Sequence, residues 1–271
     1  MDFVCPKCKG EFTVLDNGVK RCPLGHSFDR AKEGYYNLLI GGSAGTHGDN
    51  KEMVLARRAF LEKGHYLPLL RAVTSSVLAV TDKGYTLLDS GCGEGYYTAA
   101  VEKALFEKHG KTDMLAYDIS KDAVKRAAKL CPRVSFSVAS SYSLPLLDGS
   151  VDTVFNIFSP LAIDEIKRVL RSGGHFIIAY PAERHLFGLK AVLYDNPYEN
   201  KPENTALDGF TLVEEKKVDY TATLRTADEI HNLFMMTPYA YRTPKEGRER
   251  LSRLDTLSTE LSFRVITYKK N

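Results

Sequence analysis

Cys5-Pro-Lys-Cys8 is followed, thirteen residues on, by Cys22-Pro-Leu-Gly-His26. Three thiolates and an imidazole in two close pairs are the donor set and the spacing of a tetrahedral zinc site. Protein fills all four positions, so no water is left to activate. One structural Zn²⁺ is expected, holding together a piece too small to bury a core of its own. A second cluster is the loop Asp89-Ser90-Gly91-Cys92-Gly93-Glu94-Gly95. Its glycines let the backbone turn tightly and approach a ligand. The G-x-G-x-G spacing differs from the G-x-G-x-x-G that seats a pyrophosphate at a helix N-terminus. Carboxylates at Asp89 and Glu94 suit a cationic cofactor better than a phosphate, and S-adenosylmethionine carries both a sulfonium and an ammonium. Asp118, 29 residues after Asp89, can accept both hydroxyls of a ribose; its competing reading is a helix cap before Ser120-Lys121.

These groups need elements to hold them. Phe12 to Leu15 and Val19 to Arg21 flank Asp16-Asn17-Gly18, and Asn-Gly between β-formers predicts a hairpin that brings the cysteine pairs together. From Tyr85 the patterns alternate: strand 85–89, helix 94–108, strand 113–118, helix 120–130, strands 133–138 and 151–157, helix 162–171, strand 174–180. Such alternation predicts an α/β fold with a parallel sheet covered on both faces and a ligand at the carboxyl ends of its strands. Strand-like 210–223 and 261–269 around a helix-like 227–236 complete the sheet, and 194–206 reads as a loop over the site. The glycine-rich stretch 41–50 has no apolar period and is expected to be a flexible linker. It separates a zinc-binding ribbon domain, 1–40, from the cofactor domain, 51–271, so removing the ribbon is expected to leave cofactor binding nearly intact.

The composition, 44% apolar and 26% charged over 271 residues, is that of a globular protein and excludes disordered, collagenous and coiled-coil classes. No apolar run reaches membrane-spanning length, and the first residues show neither a basic nor an apolar targeting region, so a soluble, cytoplasmic chain without a membrane partner is expected. Five cysteines, three of them in the ribbon, suit metal ligation in a reducing compartment; Cys92 and Cys131 read as core residues. The net charge of +3 does not decide for or against a nucleic acid. Residues 51–71 and 242–253 each hold five Lys/Arg against two Asp/Glu, which makes them candidates for phosphate contact.

The chain resembles the zinc-containing methyltransferases of the RlmA or RrmA group. The resemblance runs through Cys5/Cys8/Cys22/His26, Ala31-Lys32-Glu33-Gly34-Tyr35, Ala56-Arg57-Arg58-Ala59-Phe60-Leu61, Gly64-His65-Tyr66, the loop Gly91 to Thr98, Val138-Ala139-Ser140-Ser141, Arg184-His185-Leu186 and Met236-Thr237-Pro238. It implies a class I, Rossmann-like seven-stranded fold with an N-terminal zinc ribbon, S-adenosylmethionine as cofactor and a homodimer. It also implies methylation of N1 of a guanine in helix 35, domain II, of 23S rRNA, near the macrolide-binding exit tunnel, and hence a link to macrolide resistance. Tyr66 and His185 are implied to touch the cofactor together with Gly93 and Glu94; Asp89, Gly91, Gly95 and Asp118 complete the expected cofactor set. Many methyltransferases hold the adenine amine with Asp-Ala after the third strand, where this chain has Ser140-Ser141.

Guanine N1 carries a proton that must leave before or during attack. Ser159 and Pro160, after the fourth strand, can shape the target pocket, but neither is a base. Asp164 and Glu165 are near in sequence, yet carboxylates at a helix start are favoured by the dipole alone. The catalytic base is therefore left unassigned. Tyr35, Tyr36, Phe158, Tyr239 and Tyr241 are available for stacking on an exposed base. The competing functions are a zinc-containing methyltransferase acting on a protein or small molecule, a non-catalytic zinc and RNA-binding module, and a nicotinamide oxidoreductase, which the loop spacing disfavours.

Overall fold

In the computed structural model, which describes residues 2–41, 51–202 and 204–271, the first elements are very short strands. β1 (Thr13–Val14), β2 (Lys20–Arg21) and β3 (Ser27–Phe28) form an antiparallel ribbon, with β1 and β2 joined across the expected Asn17-Gly18 turn. Then come β4 (Tyr36–Asn37), α1 (Lys51–Glu62), α2 (Leu67–Val80), β5 (Thr86–Ser90), α3 (Tyr96–His109), β6 (Asp113–Asp118), α4 (Lys121–Leu130), β7 (Ser135–Val138), β8 (Val151–Ile157), α5 (Ile163–Val169) and β9 (Leu170–Pro181). The chain ends with α6 (Phe187–Leu193), β10 (Phe210–Leu224), α7 (Ala227–Met235), α8 (Tyr239–Arg242), α9 (Lys245–Ser252) and β11 (Leu257–Lys270). The expected linker 41–50 lies, apart from Gly41, outside the described residues.

The large sheet has the order β10-β11-β9-β8-β5-β6-β7-β4. Pairing is parallel from β4 through β9, and β11 runs antiparallel between β9 and β10. The chain builds outward from β5 to β7, then returns to the other side of β5 with β8. That reversal opens a crevice at the strands' carboxyl ends. Every residue of β5 is buried, as a central parallel strand covered on both faces must be. α4 shows how the covering helices form: Ala123, Val124, Ala127 and Ala128 make its buried stripe, and the Ser120 hydroxyl caps it by accepting from the Ala123 amide.

Seven strands match the expected sheet. An eighth, β4, comes from the ribbon segment and extends the β7 edge in parallel, with Tyr36 opposite Ser137 and Asn37 opposite Val138. Two residues carry no readable strand period, so this strand could not be foreseen. Phe3, Tyr36 and Leu38 are buried in the same apolar cluster as Leu88, Leu115, Tyr117 and Phe176 of the sheet. The Val4 amide donates to the Pro145 carbonyl, and Lys9 Nζ donates to the Leu144 carbonyl. The ribbon thus shares a core with the cofactor fold. Removing residues 1–40 would expose that core, so the expected survival of cofactor binding depends on how far the remaining fold tolerates the loss.

Candidate active site and metal centre

The four ribbon donors converge. Cys22 Sγ lies 3.3 Å from His26 Nδ1, Cys5 Sγ 3.5 Å from the same nitrogen, and Cys8 Sγ 3.5 Å from Cys22 Sγ. All four donor atoms lie within 4.8 Å of one another. A tetrahedron with Zn–S of about 2.3 Å and Zn–N of about 2.0 Å has edges of roughly 3.5–3.8 Å, so this set can hold a closed, four-coordinate zinc. Two turns present the donors: the Lys9 amide bonds the Cys5 carbonyl, and the Gly25 amide bonds the Cys22 carbonyl. Burial opposes ionisation of Cys22, but hydrogen bonds from the Cys8 thiol and the His26 backbone outweigh it and hold the thiol down to about 6.

The crevice at the sheet's carboxyl edge is a cavity of about 750 Å³, within the range of small-molecule sites. Gly91, Gly93 and Glu94 line it, along with Asp89 and Asp118. The three loop glycines have separate roles. A Cβ on Gly91 would lie 1.9 Å from Ser159 Oγ, and one on Gly95 would lie 3.0 Å from Ala127, so these two admit neighbouring chain. At Gly93, with φ +53°, a Cβ would meet nothing within 4 Å. This is the glycine that faces ligand space. Asp118 organises the loop: its Oδ2 accepts from the Gly93 amide at 2.9 Å and its Oδ1 from the Ser120 amide at 2.8 Å. Ser120, not Asp118, caps α4, and a carboxylate oxygen can accept more than one hydrogen bond.

Two other carboxylates are held in unusual states. Asp89 is buried and accepts from the Thr98 hydroxyl at 2.6 Å. Burial, reinforced by Asp118 and opposed by Thr98, pushes its pKa up to about 8. Glu94 is also buried, its Oε2 has no hydrogen-bond partner, and burial raises its pKa although Arg58 Nη1 lies 3.8 Å away. An orphaned buried carboxylate oxygen beside an open glycine is the vacancy that a cofactor with ammonium and hydroxyl donors can fill. The residues present therefore fit S-adenosylmethionine.

Tyr66, at the start of α2, and His185, before α6, both line the cavity, and Tyr66 Oη lies 3.5 Å from His185 Nε2. The Ser262 amide donates to His185 Nδ1 at 3.3 Å, which places the imidazole proton on Nε2. Burial and the nearby Lys190 charge hold this pKa down to about 3, so the ring is a neutral donor. Phe158 and Leu186, also on the cavity wall, and Lys9 in the zinc turn are the non-glycine residues at positive φ among the described residues. Backbone strain of this kind, on the order of 1–3 kcal/mol each, persists where the surroundings over-determine it.

Some expectations concerning the rim change. The described residues of 194–206 do not line the cavity. Lys190 Nζ holds this loop through the Tyr198 carbonyl and Asn200, and the Asn200 amide donates to the Glu183 carbonyl. The wall comes instead from α1 and residues 236–242, with Arg57, Tyr239 and Arg242. The sequence offered Tyr239 as a stacking ring and placed Arg57 and Arg242 in basic runs, but nothing in it put the two arginines on the cofactor cavity wall. Asp164 and Glu165 lie outside the cavity; Glu165 accepts from the Leu144 amide and from Arg168. Of the five candidate stacking rings, Phe158 and Tyr239 reach the cavity, while Tyr35 and Tyr36 are buried elsewhere. Cys92 and Cys131 are buried, as expected of core residues. No described helix is long and apolar enough to cross a membrane.

Comparisons with known proteins agree with this construction. A methyltransferase-domain family model matches residues 81–235, and the RlmA N-terminal zinc-ribbon model matches residues 3–40. The 23S rRNA (guanine(748)-N(1))-methyltransferase of Streptomyces fradiae is 37% identical over 185 residues, 67% of this chain and 64% of that protein. The protein YxjB of Bacillus subtilis (strain 168), which bears the corresponding guanine-N1 methyltransferase name, is 31% identical over 254 residues, 90% of this chain and 88% of its own. The cofactor is S-adenosylmethionine, and the ribbon binds one zinc. The chain therefore belongs to the RlmA-type family of zinc-ribbon class I methyltransferases, whose named members are 23S rRNA (guanine-N1)-methyltransferases.

Proposed function

We propose that this protein transfers the methyl group of S-adenosylmethionine to N1 of a guanine in helix 35, domain II, of 23S rRNA, acting in the cytoplasm as a homodimer. Methylation there would bear on macrolide resistance. The observation that carries the reading is the joining, in one chain and through one core, of a four-donor zinc ribbon to a cavity built for a cationic cofactor.

In this reading Cys5, Cys8, Cys22 and His26 hold the zinc. Asp118 accepts the ribose hydroxyls, Gly93 leaves room for the cofactor, and Asp89 and Glu94 meet its positive end, with Tyr66 as a donor whose hydroxyl His185 positions. Gly91 and Gly95 set the loop's shape. When bound, S-adenosylmethionine supplies an electrophilic methyl group on a sulfonium. The protein's main task is then to position the nucleophile in line with it and to exclude water. Deprotonated guanine shares its negative charge between N1 and O6. Arg57 and Arg242 on the cavity wall are cations able to stabilise that charge as it develops, while Phe158 and Tyr239 offer faces for the base. His185 cannot take the N1 proton, because the Ser262 amide occupies its acceptor nitrogen.

Incubation with labelled S-adenosylmethionine and unmethylated large-subunit RNA, followed by digestion to nucleosides, tests the reading. The expected product is 1-methylguanosine. Label confined to protein, to small molecules or to a different nucleoside would contradict it.

A further inference from the structure

α1 and α4 enclose a second groove, of about 520 Å³, distinct from the cofactor cavity. Lys51, Arg58, Lys125, Arg126 and Lys129 line it against a single lining carboxylate, Asp122. Five cations against one carboxylate give the lining a net +4, whereas the whole chain carries only +3, so the rest of the molecule nets −1. α4 turns its alanine face inward, which leaves the side chains of Lys125 and Lys129 about half or more exposed, 49% and 63%.

The groove's neighbours give it direction. Glu33, in the ribbon segment, lies 3.5 Å from Lys125 and 3.9 Å from Lys129 and marks one end. At the other end, Arg58 lines the groove while the adjacent Arg57 lines the cofactor cavity, and Arg58 Nη1 lies 3.8 Å from Glu94 of the glycine loop. A row of cations along an open groove suits a ligand with repeating negative charge; a lone phosphate needs converging donors in a closed pocket. In the groove Arg58 pairs with Glu62 at 2.7 Å, and the cations meet carboxylates at its ends; in the other basic run Arg248 is fastened to the Thr243 carbonyl, and Arg250 to the Val192 and Leu193 carbonyls as well as to Asp195.

We propose that the α1–α4 groove is a track for the sugar–phosphate backbone of the substrate RNA, leading from the ribbon to the target base in the cavity. This rests on the reading of the protein as an RNA methyltransferase. The groove fixes register and orientation, while sequence is read elsewhere.

The test measures binding of a helix 35 hairpin RNA across a series of salt concentrations. The full-length parent is compared with the triple variant Lys125→Gln/Arg126→Gln/Lys129→Gln, with Asp122→Asn, and with Lys245→Gln/Arg253→Gln at the two ends of α9. S-adenosylmethionine affinity and zinc content monitor folding. Three lost phosphate contacts should weaken binding about tenfold or more at low salt and lower the steepness of the log–log salt dependence by roughly 2 to 3. Cofactor affinity should stay at the parental value. Asp122→Asn should bind RNA more tightly than the parent, and the α9 pair should match it. Parental RNA affinity and salt dependence in the triple variant would overturn the groove alone, as would an equal loss in the α9 pair. A parent that does not bind RNA would overturn the functional reading, and the groove with it.

Discussion

The His185 imidazole and the Tyr66 hydroxyl, 119 residues apart in sequence, meet at 3.5 Å on the cofactor cavity wall. With the Ser262 amide on Nδ1, His185 donates from Nε2 to Tyr66, so the Tyr66 hydroxyl need not donate to His185 and can serve a ligand as a donor. Tyr66→Phe should therefore weaken S-adenosylmethionine binding about 3- to 10-fold, the worth of a neutral hydrogen bond, without unfolding the chain. The ring should also stay neutral between pH 5 and 8. The unfolded chain takes up this proton below about pH 6.5, and the folded chain refuses it until about 3. Stability from this group is therefore lost as pH falls through that window. An imidazole titrating near 6.5 in the NMR spectrum of the folded protein would contradict the arrangement.

Asp89 makes cofactor binding pH-dependent. With its pKa near 8, the carboxyl is largely protonated at neutral pH, and a cationic ligand favours the ionised form. Binding should release close to one proton at pH 7, and affinity should rise with pH up to about 8 and then level off. Calorimetry in buffers of different ionisation enthalpy reads this directly, and Asp89→Asn should abolish the release. The linked stability effect has the opposite sign to that of His185. The unfolded carboxyl ionises near 3.8 while the folded one keeps its proton to about 8, so the unliganded protein loses stability as pH rises through that range.

Gly93 and Asp118 separate space from charge. Gly93→Val fills the only loop position whose Cβ direction is open and should eliminate cofactor binding. Asp118→Asn keeps the shape but removes the charge, and should cost on the order of 1.5–3 kcal/mol of cofactor affinity. Isothermal titration distinguishes the two, and parental affinity in either variant would rule out its assigned role.

Zinc and core stability are coupled through Phe3, Tyr36 and Leu38. Cys8→Ser should lower zinc content to near zero. Because burying each of those side chains is worth about 1.5–3 kcal/mol, a ribbon freed from its metal should also lower the melting temperature of the methyltransferase fold. Metal analysis with calorimetry measures both effects. A zinc-free variant with the parental Tm would mean that the ribbon is energetically independent.

What the sequence made legible was local. The zinc donors sit in two short turns, and the glycine loop and Asp118 lie at the ends of strands whose apolar runs are unmistakable, so residue type and spacing were enough. Less was readable wherever long-range packing decides. The β4 strand exists because β7 offers an open edge, not because Tyr36-Asn37 has a strand pattern. Arg57, Tyr239 and Arg242 reach the cavity because α1 and α8 pack over the sheet's carboxyl end. The segment around Tyr198 and Asn200 is held away from the cavity by Lys190, a buried lysine whose amine binds both residues. Phe158 takes up a left-handed backbone that no local propensity announces.

The most direct measurement of the central claim maps the methyl group in the RNA. Methylation at guanine N1 blocks Watson–Crick pairing, so reverse transcription of large-subunit RNA treated with the protein and S-adenosylmethionine should stop at one guanine of helix 35. Mass spectrometry of the corresponding fragment should show a gain of one methyl group, and RNA treated with the Gly93→Val variant should show neither change. A stop elsewhere in the RNA, or unmodified RNA from an active protein that methylates another acceptor, would contradict the account.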